Sequence, residues 1–202
     1  MKIFCVGRNY SEHAKELNNA IPEAPVIFMK PPTALLKGKD FYMPEFSKDM
    51  HFECELVYRV CKNGKHIAAQ FASKYVDAVA VGIDFTARDV QSNQKTKGLP
   101  WEIAKAFDNS AVVSEFTPIS AIADPASINF SMEKNGTTVQ TGNSADMLYS
   151  IDTIIEYLSK FFTLQQGDLI YTGTPAGVGP VAIGDILTGY LEGTKSFEIN
   201  IK

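Results

Sequence analysis

The stretch HFECELVYRV, residues 51–60, carries two glutamates, Glu53 and Glu55, within a run of strand-forming residues. Successive side chains of a strand point to opposite faces, so both carboxylates would lie on the same face. Like charges on one face repel each other unless water screens them or a cation lies between them. Water-facing glutamates are the more common case, so the pair alone leaves both interpretations open.

A third carboxylate, Asp84, ends the run AVAVGID, which is apolar enough to be a buried strand. A buried carboxylate needs a partner because desolvating an unpaired charge is costly. No lysine or arginine lies within HFECEL to pair with the two glutamates. Three carboxylates without a Cys/His cluster suit a hard divalent cation. Mg²⁺ fits best, because it binds a few carboxylates and leaves positions for water and substrate oxygens.

The elements that must position these carboxylates are mostly short strands. Alternating residues around Asn135-Gly136 predict a hairpin, and apolar residues at helical spacing in SIDTIIEYLSKFF predict one amphipathic helix. A short polar helix is expected over residues 11–19, and HFECELVYRV is expected to form one strand. Many short strands with few helices predict a β-rich α+β domain, with a curved or barrel-like sheet, over residues 1–202.

Composition narrows the classes of partner. The 202 residues carry a net charge of -4 and no Lys/Arg-rich run, so nucleic acid is not an expected partner. No apolar run approaches the ~20 residues that span a bilayer, and Arg8 follows the first apolar residues too soon for a signal peptide. The three cysteines predict buried, reduced thiols and a cytoplasmic location.

Longer motifs point to a known family. CVGRNYSEHAKEL, PVIFMKPPTAL, HFECEL, GIDFTARDVQ, KGLPWEIAKAFD and GDLIYTGTPAGVGPV follow one another over nearly the whole chain. With these motifs the chain resembles the fumarylacetoacetate hydrolase family, and within it the acylpyruvase and oxaloacetate decarboxylase branch. The resemblance implies the mixed β-roll fold of the family's C-terminal domain, a homodimer, and Mg²⁺ or Mn²⁺ held by Glu53, Glu55 and Asp84. The longer enzymes' extra N-terminal domain is not expected, which favours the small-substrate branch.

The resemblance also implies the catalytic residues. His13 and Glu16 of HAKE would form a dyad in which the carboxylate raises the basicity of the imidazole. Their helix, within residues 1–20, would act as a mobile lid. Lys105 of AKAF would stabilise an enolate.

Further positions match residues that line the family's pocket and would bind substrate: Arg8, Lys30, Arg88, Gln91 and Thr174. Arg88 has two alternatives, a structural salt bridge to Asp84 or Asp89, or a clamp on a substrate carboxylate. The run TGTPAGVGP lacks the Gly-Lys-Ser/Thr ending of a phosphate loop, so its backbone amides are expected to line the pocket instead.

The expected activity is metal-dependent cleavage of a C–C bond in small 2-oxo acids. Acylpyruvate hydrolysis and oxaloacetate decarboxylation both need an electron sink of the kind that a cation and Lys105 would provide. Two alternatives remain open. The same enolate chemistry permits an isomerase or tautomerase of 2-hydroxy-dienoates or 2-oxo acids, and an inactive protein could use the metal only for stability.

Overall fold

The computed structural model of this chain describes residues 1–11 and 22–202. The predicted helix over residues 11–19 therefore lies outside the described residues, apart from Ser11, as do His13 and Glu16. The described strands, in chain order, are β1 (Ile3–Gly7), β2 (Val26–Lys30), β3 (Asp40–Phe41), β4 (Met50–Phe52), β5 (Cys54–Val60), β6 (Val76–Asp84), β7 (Thr86–Ala87), β8 (Ala111–Val113), β9 (Thr117–Pro118), β10 (Asn129–Lys134), β11 (Thr137–Asn143), β12 (Leu169–Tyr171), β13 (Gly179–Pro180), β14 (Ile186–Leu191) and β15 (Thr194–Ile201). The described α-helices are α1 (Ala69–Ala72), α2 (Arg88–Lys97), α3 (Glu102–Lys105) and α4 (Ile151–Phe161).

The strands form three sheets. A seven-stranded sheet has the order β2-β1-β12-β5-β6-β8, with β9 pairing with β6 as well. A five-stranded sheet has the order β11-β10-β14-β15-β3, and a three-stranded sheet has the order β13-β4-β7. Within the described residues each sheet is open at both ends, so the barrel-like core is not a closed barrel. The predicted fold class, a strand-rich α+β domain of mixed sheets, is confirmed.

Two predicted elements form for the reasons that the sequence indicates. Asn135 and Gly136 both have positive φ, 54° and 77°, as a tight turn between the antiparallel strands β10 and β11 requires. Helix α4 buries its apolar stripe, including Ile154, Ile155 and Leu158. Each such side chain contributes roughly 1.5–3 kcal/mol relative to an exposed one.

The single strand predicted over residues 51–60 is wrong. Strand β4 ends at Phe52 and β5 begins at Cys54, so Glu53 lies at a break between them. The chain changes sheets there, because β4 pairs with β7 and β13 whereas β5 pairs with β6 and β12. At the break, the Cys54 amide donates to the side-chain Oε1 of Gln140, at 2.9 Å. Glu53 is therefore placed by a corner between two sheets, and Glu55 by a strand.

Gly82 allows the strands that carry the carboxylates to approach closely. It lies in β6 opposite Glu55 of β5 and Val113 of β8. A Cβ at this position would come within 2.4 Å of the Val112 carbonyl oxygen and 2.7 Å of Val57 Cγ2. Residue 82 must therefore lack a side chain, or the strands must shift.

We expect Gly82→Ala to lower the free energy of unfolding by roughly 1–3 kcal/mol, the usual cost of overpacking a core. Thermal unfolding of the variant beside wild type measures the change. Gly7→Ala is the matched control, because a Cβ there meets its nearest neighbour, Trp101, at an ordinary 3.5 Å. Equal melting temperatures for both variants would contradict this account of β6.

The cysteines follow the prediction in part. All three are free thiols, and Cys5 and Cys54 are buried, whereas Cys61 is partly exposed. Burial raises the pKa of the Cys5 and Cys54 thiols, which keeps them protonated. In the part of the chain that the structure describes, no helix has the length and apolar character needed to cross a membrane.

Candidate metal centre and substrate cavity

The three predicted metal ligands meet in space. Glu55 belongs to β5, Asp84 ends the adjacent strand β6, and Glu53 lies at the corner before β5. One oxygen of each carboxylate lies within 4.8 Å of the others, and all three residues are buried. The arrangement gathers oxygen atoms only, which is the donor set that Mg²⁺ and Mn²⁺ prefer.

Glu55 has the least compensated charge of the three. Burial raises the pKa of its carboxyl group well above the usual value, and repulsion from Asp84 and Glu53 raises it further. Its Oε2 accepts a hydrogen bond from the Gly173 amide at 2.7 Å, so a backbone amide of the TGTP loop lines the site as predicted. Gly173 has a φ of 97°, and a Cβ there would lie 2.8 Å from Asn9 Cβ, so glycine is needed for this close approach.

Lys105 lies among the carboxylates at the end of α3. Its Nζ donates to Glu53 Oε2 at 2.7 Å, Asp84 Oδ2 at 2.7 Å and Thr86 Oγ1 at 2.6 Å. Burial lowers the pKa of this ammonium, but the attraction of Asp84 and Glu53 outweighs burial, and the net effect raises the pKa. Lys105 is therefore a cation in contact with two of the three candidate ligands.

The residues fit a divalent cation. Within the described residues, Glu55 has no lysine or arginine within 4 Å, whereas Lys105 is shared between Glu53 and Asp84. An ionised Glu55 beside two further buried carboxylates needs more positive charge than these contacts supply. A cation bound by Glu53, Glu55 and Asp84 would supply it. The same three residues are the ones that the family motifs indicate.

Lys30 has a different place from the one predicted. Its Nζ lies 2.8 Å from Asp84 Oδ1, although the angles are not those of a hydrogen bond. It also donates to Ser110 Oγ at 2.9 Å and to the Lys105 carbonyl oxygen. The side chain is fully buried and does not line the cavity above the carboxylates. Lys30 therefore contacts Asp84 without lining this cavity, and its contact with substrate stays a prediction.

The other predicted pocket residues line one cavity with the carboxylates and Lys105. Its predicted members beyond those are Arg8, Arg88, Gln91 and Thr174. Arg88 Nη2 donates to Glu53 Oε1 at 2.6 Å and Nη1 donates to Gln91 Oε1 at 2.8 Å. Arg88 thus forms a salt bridge with Glu53 and not with the predicted Asp84 or Asp89, and the clamp on a substrate carboxylate stays a prediction.

Thr174 is held by a buried amide. Gln140 Nε2 donates to Thr174 Oγ1 at 2.8 Å and to the Pro175 carbonyl oxygen at 2.9 Å. Because Oγ1 accepts this bond, the hydroxyl proton of Thr174 is left to donate elsewhere. Gln140 was not predicted from the sequence, because a single amide in the second strand of the hairpin has no distinguishing pattern.

Two further cavity residues were not among the predicted site residues, Lys95 and Trp101. Lys95 lies in α2, seven positions after Arg88 and four after Gln91, so all three share one face of the helix. That spacing is the sequence signal that could have found it. The Lys95 ammonium lies 5.5 Å from the centroid of the Trp101 ring, within the range of a cation–π contact.

Known proteins are similar to this chain in sequence and in architecture. The family described as "Fumarylacetoacetate (FAA) hydrolase C-terminal" matches residues 2–201. The chain is 42% identical to the mouse "Oxaloacetate tautomerase FAHD1, mitochondrial" over 201 residues, covering 99% of this chain and 91% of the relative. It is 42% identical to the Escherichia coli "Oxaloacetate tautomerase YcgM" over 194 residues, covering 95% of this chain and 89% of the relative.

A solved structure is similar throughout. The crystal structure of fumarylpyruvate hydrolase from Pseudomonas aeruginosa, in complex with Mn²⁺ and pyruvate, superposes with a TM-score of 0.94 at 35% sequence identity. The match covers 100% of this chain and 89% of that one. The relatives are bacterial proteins or, for the mouse protein, named mitochondrial, so the cytoplasmic location stays a prediction. Because the family model spans nearly all of the sequence and these relatives cover it almost fully, the chain belongs to the fumarylacetoacetate hydrolase family, in its small-substrate branch.

Proposed function

We propose that this chain is a metal-dependent enzyme that moves a proton at C3 of a small 2-oxo acid, as in the tautomerisation of oxaloacetate. The observation that carries the proposal is the contact of one ammonium, Lys105 Nζ, with two carboxylates of a buried three-carboxylate cluster. The similarity to proteins named oxaloacetate tautomerases supports this choice of reaction.

A divalent cation held by Glu53, Glu55 and Asp84 would bind and polarise the oxygens of the 2-oxo acid. When the C3–H bond breaks, its electron pair moves to the 2-oxo oxygen, which becomes an enolate. Lys105 then places a fixed positive charge beside the developing negative charge. Its three hydrogen bonds to Glu53, Asp84 and Thr86 hold the ammonium in place for this role.

The base that takes the C3 proton is proposed from sequence. His13 and Glu16 have the residue types and spacing of a base and its supporting carboxylate. In tautomerisation the proton finally reaches the enol oxygen, so atoms and charge balance without water or a further reactant. Arg88 and Thr174 line the same cavity, and we propose that they donate hydrogen bonds to a bound carboxylate of the substrate.

A second candidate reaction is C–C bond cleavage, because the chain is 35% identical to a fumarylpyruvate hydrolase of the same fold. In hydrolysis, water adds to the distal carbonyl of an acylpyruvate, the C–C bond breaks, and the electron pair forms the pyruvate enolate. In decarboxylation of oxaloacetate, loss of CO₂ sends the electron pair to the same oxygen. Both reactions release pyruvate, whereas tautomerisation does not.

Proton exchange at C3 distinguishes these reactions. With Mg²⁺ in D₂O, we expect the protein to remove the C3 proton signals of oxaloacetate from the NMR spectrum faster than they decay without protein. EDTA should stop the exchange and added Mg²⁺ should restore it. A parallel assay for pyruvate, with oxaloacetate and acetylpyruvate, measures cleavage. Pyruvate release at the rate of exchange would favour the second candidate, and neither activity with Mg²⁺ or Mn²⁺ would contradict both.

A further inference from the structure

Four cationic side chains line the cavity above the carboxylates, and two of them are already engaged. Lys105 contacts Glu53 and Asp84, and Arg88 contacts Glu53. The remaining cations are Arg8 and Lys95. Among the described residues neither has a carboxylate within 4 Å, and the Arg8 Nε is buried without a hydrogen-bond partner. Within the described residues, two of the four cationic groups of the cavity are therefore not paired with an acid.

Arg8 and Lys95 line the same cavity. Burial lowers the pKa of the Lys95 ammonium, and the charges of Arg8 and then Arg88 lower it further. Arg8 has a φ of 59°, a backbone conformation that residues other than glycine seldom adopt. The Trp101 ring, whose centroid lies 5.5 Å from Lys95 Nζ, lines the same cavity. Two like charges in a partly buried site, one on an uncommon backbone, indicate a place for an anionic group of a ligand.

We infer that Lys95, with Arg8 beside it, binds the distal carboxylate of the substrate and makes the site selective for 2-oxo diacids over 2-oxo monoacids. The inference rests on the proposed function and deepens it by naming the substrate class. The engaged cations serve the end of the substrate that meets the carboxylate cluster, and Lys95 serves the other end. Lys95 is thus a specificity-determining residue that binds a non-reacting group.

The test uses two ligands that differ only at the distal group. Oxaloacetate carries a carboxylate where 2-oxobutanoate carries a methyl group, and both have C3 protons whose exchange NMR can follow in Mg²⁺ and D₂O. For Lys95→Met we expect kcat/KM for oxaloacetate to fall roughly 10- to 100-fold, the usual effect of losing a hydrogen bond to a charged group. The value for 2-oxobutanoate should change less than about twofold.

Binding gives a readout that does not depend on turnover. Calorimetric titration of the Mg²⁺-loaded protein with 2-oxoglutarate and with 2-oxopentanoate compares another pair that differs only in the distal carboxylate. Wild type should bind the diacid more tightly, and Lys95→Met should bind both with similar affinity. Lys95→Arg should keep the preference, because it keeps the charge. Lys97→Met, an exposed lysine two residues further along the chain, is the matched control and should behave as wild type.

The outcomes separate the two proposals. If Lys95→Met weakens the binding of the diacid and the monoacid equally, or of neither, Lys95 does not distinguish the distal group. The inference is then wrong, whatever the reaction is. If wild type shows no exchange with any 2-oxo acid, the proposed function fails, and the titrations still decide whether Lys95 selects diacids. Equal affinity of wild type for diacid and monoacid also overturns the inference.

Discussion

Replacing Glu55 by glutamine should abolish metal-dependent turnover and at the same time stabilise the metal-free protein. The amide can still accept the Gly173 hydrogen bond, but it loses the charge that a hard cation needs from this position. We expect metal binding to weaken at least ~100-fold, since even groups one step removed from a metal contribute 10–100-fold. Calorimetric titration with Mn²⁺ and the exchange assay measure the two losses.

The gain in stability follows from the raised pKa of Glu55. Burial and the neighbouring carboxylates disfavour its ionised form in the folded state, so its folded pKa lies above its unfolded one. The contribution of Glu55 to the stability of metal-free wild type is therefore fully present below the unfolded pKa of ~4.3 and is lost as the pH rises through the folded pKa. A glutamine cannot ionise, so this loss does not occur in the variant.

In EDTA the melting temperature of Glu55→Gln should equal that of wild type near pH ~4 and exceed it increasingly towards neutral pH. Each kcal/mol corresponds to ~2–4 °C for a chain of this size. Glu198→Gln is the control, because Glu198 is exposed and its neighbour Lys195 lowers its pKa. That change should leave metal binding unaffected and should not raise the melting temperature. A Glu55→Gln protein less stable than wild type at neutral pH would contradict the argument.

Lys105→Met should have the opposite effect on stability and the same effect on activity. The change removes the ammonium that bridges Glu53 and Asp84 and leaves two buried carboxylates without it. Breaking a buried ion pair by removing one partner costs about 3–5 kcal/mol, so the melting temperature in EDTA should fall by roughly 6–20 °C. Turnover should fall on the order of 10²–10³-fold, as for loss of one preorganised charge-stabilising donor.

Mg²⁺ should return part of the lost stability, because the cation compensates the same carboxylates. Thermal unfolding with EDTA and with Mg²⁺ measures this rescue, and the exchange assay measures turnover. Lys160→Met removes an exposed lysine that lies 4.0 Å from Glu156, and exposed pairs of this kind contribute little. It should match wild type in both assays. Turnover by Lys105→Met at the wild-type rate would contradict the role proposed for Lys105.

The parts of the site that could be predicted are those marked by short sequence patterns. Asp84 at the end of an apolar strand and Glu53 with Glu55 give a carboxylate cluster from patterns within a few residues. The motifs then bring in Lys105, which lies 52 positions from Glu53 in the chain. The confirmed hairpin and helix α4 likewise depend on local turn chemistry and apolar spacing.

What the sequence did not predict depends on contacts between distant segments. Helix α2 has few apolar residues, so it shows no apolar stripe, and its informative face is the polar one that carries Arg88, Gln91 and Lys95. Nothing in its motif distinguishes Lys30 from a residue that lines the pocket. Only the tertiary fold shows that it contacts Asp84 and does not line the cavity. The strand break at Glu53 is equally hidden, because both sides of it have strand composition.

That break has a consequence for how the protein opens. Glu53 stands at the joint between the three-stranded and seven-stranded sheets, whereas Glu55 and Asp84 belong to the seven-stranded sheet alone. An ion shared by the three carboxylates would therefore connect the corner between the two sheets to strands β5 and β6. Without it, Glu53 is held at this corner by the Asp84 amide, which donates to the Glu53 carbonyl oxygen at 2.8 Å, and by Arg88 and Lys105, which donate to its carboxylate. Loading the ion would then add a cross-link between the two sheets at this corner, so the free energy of unfolding should rise with the concentration of free cation.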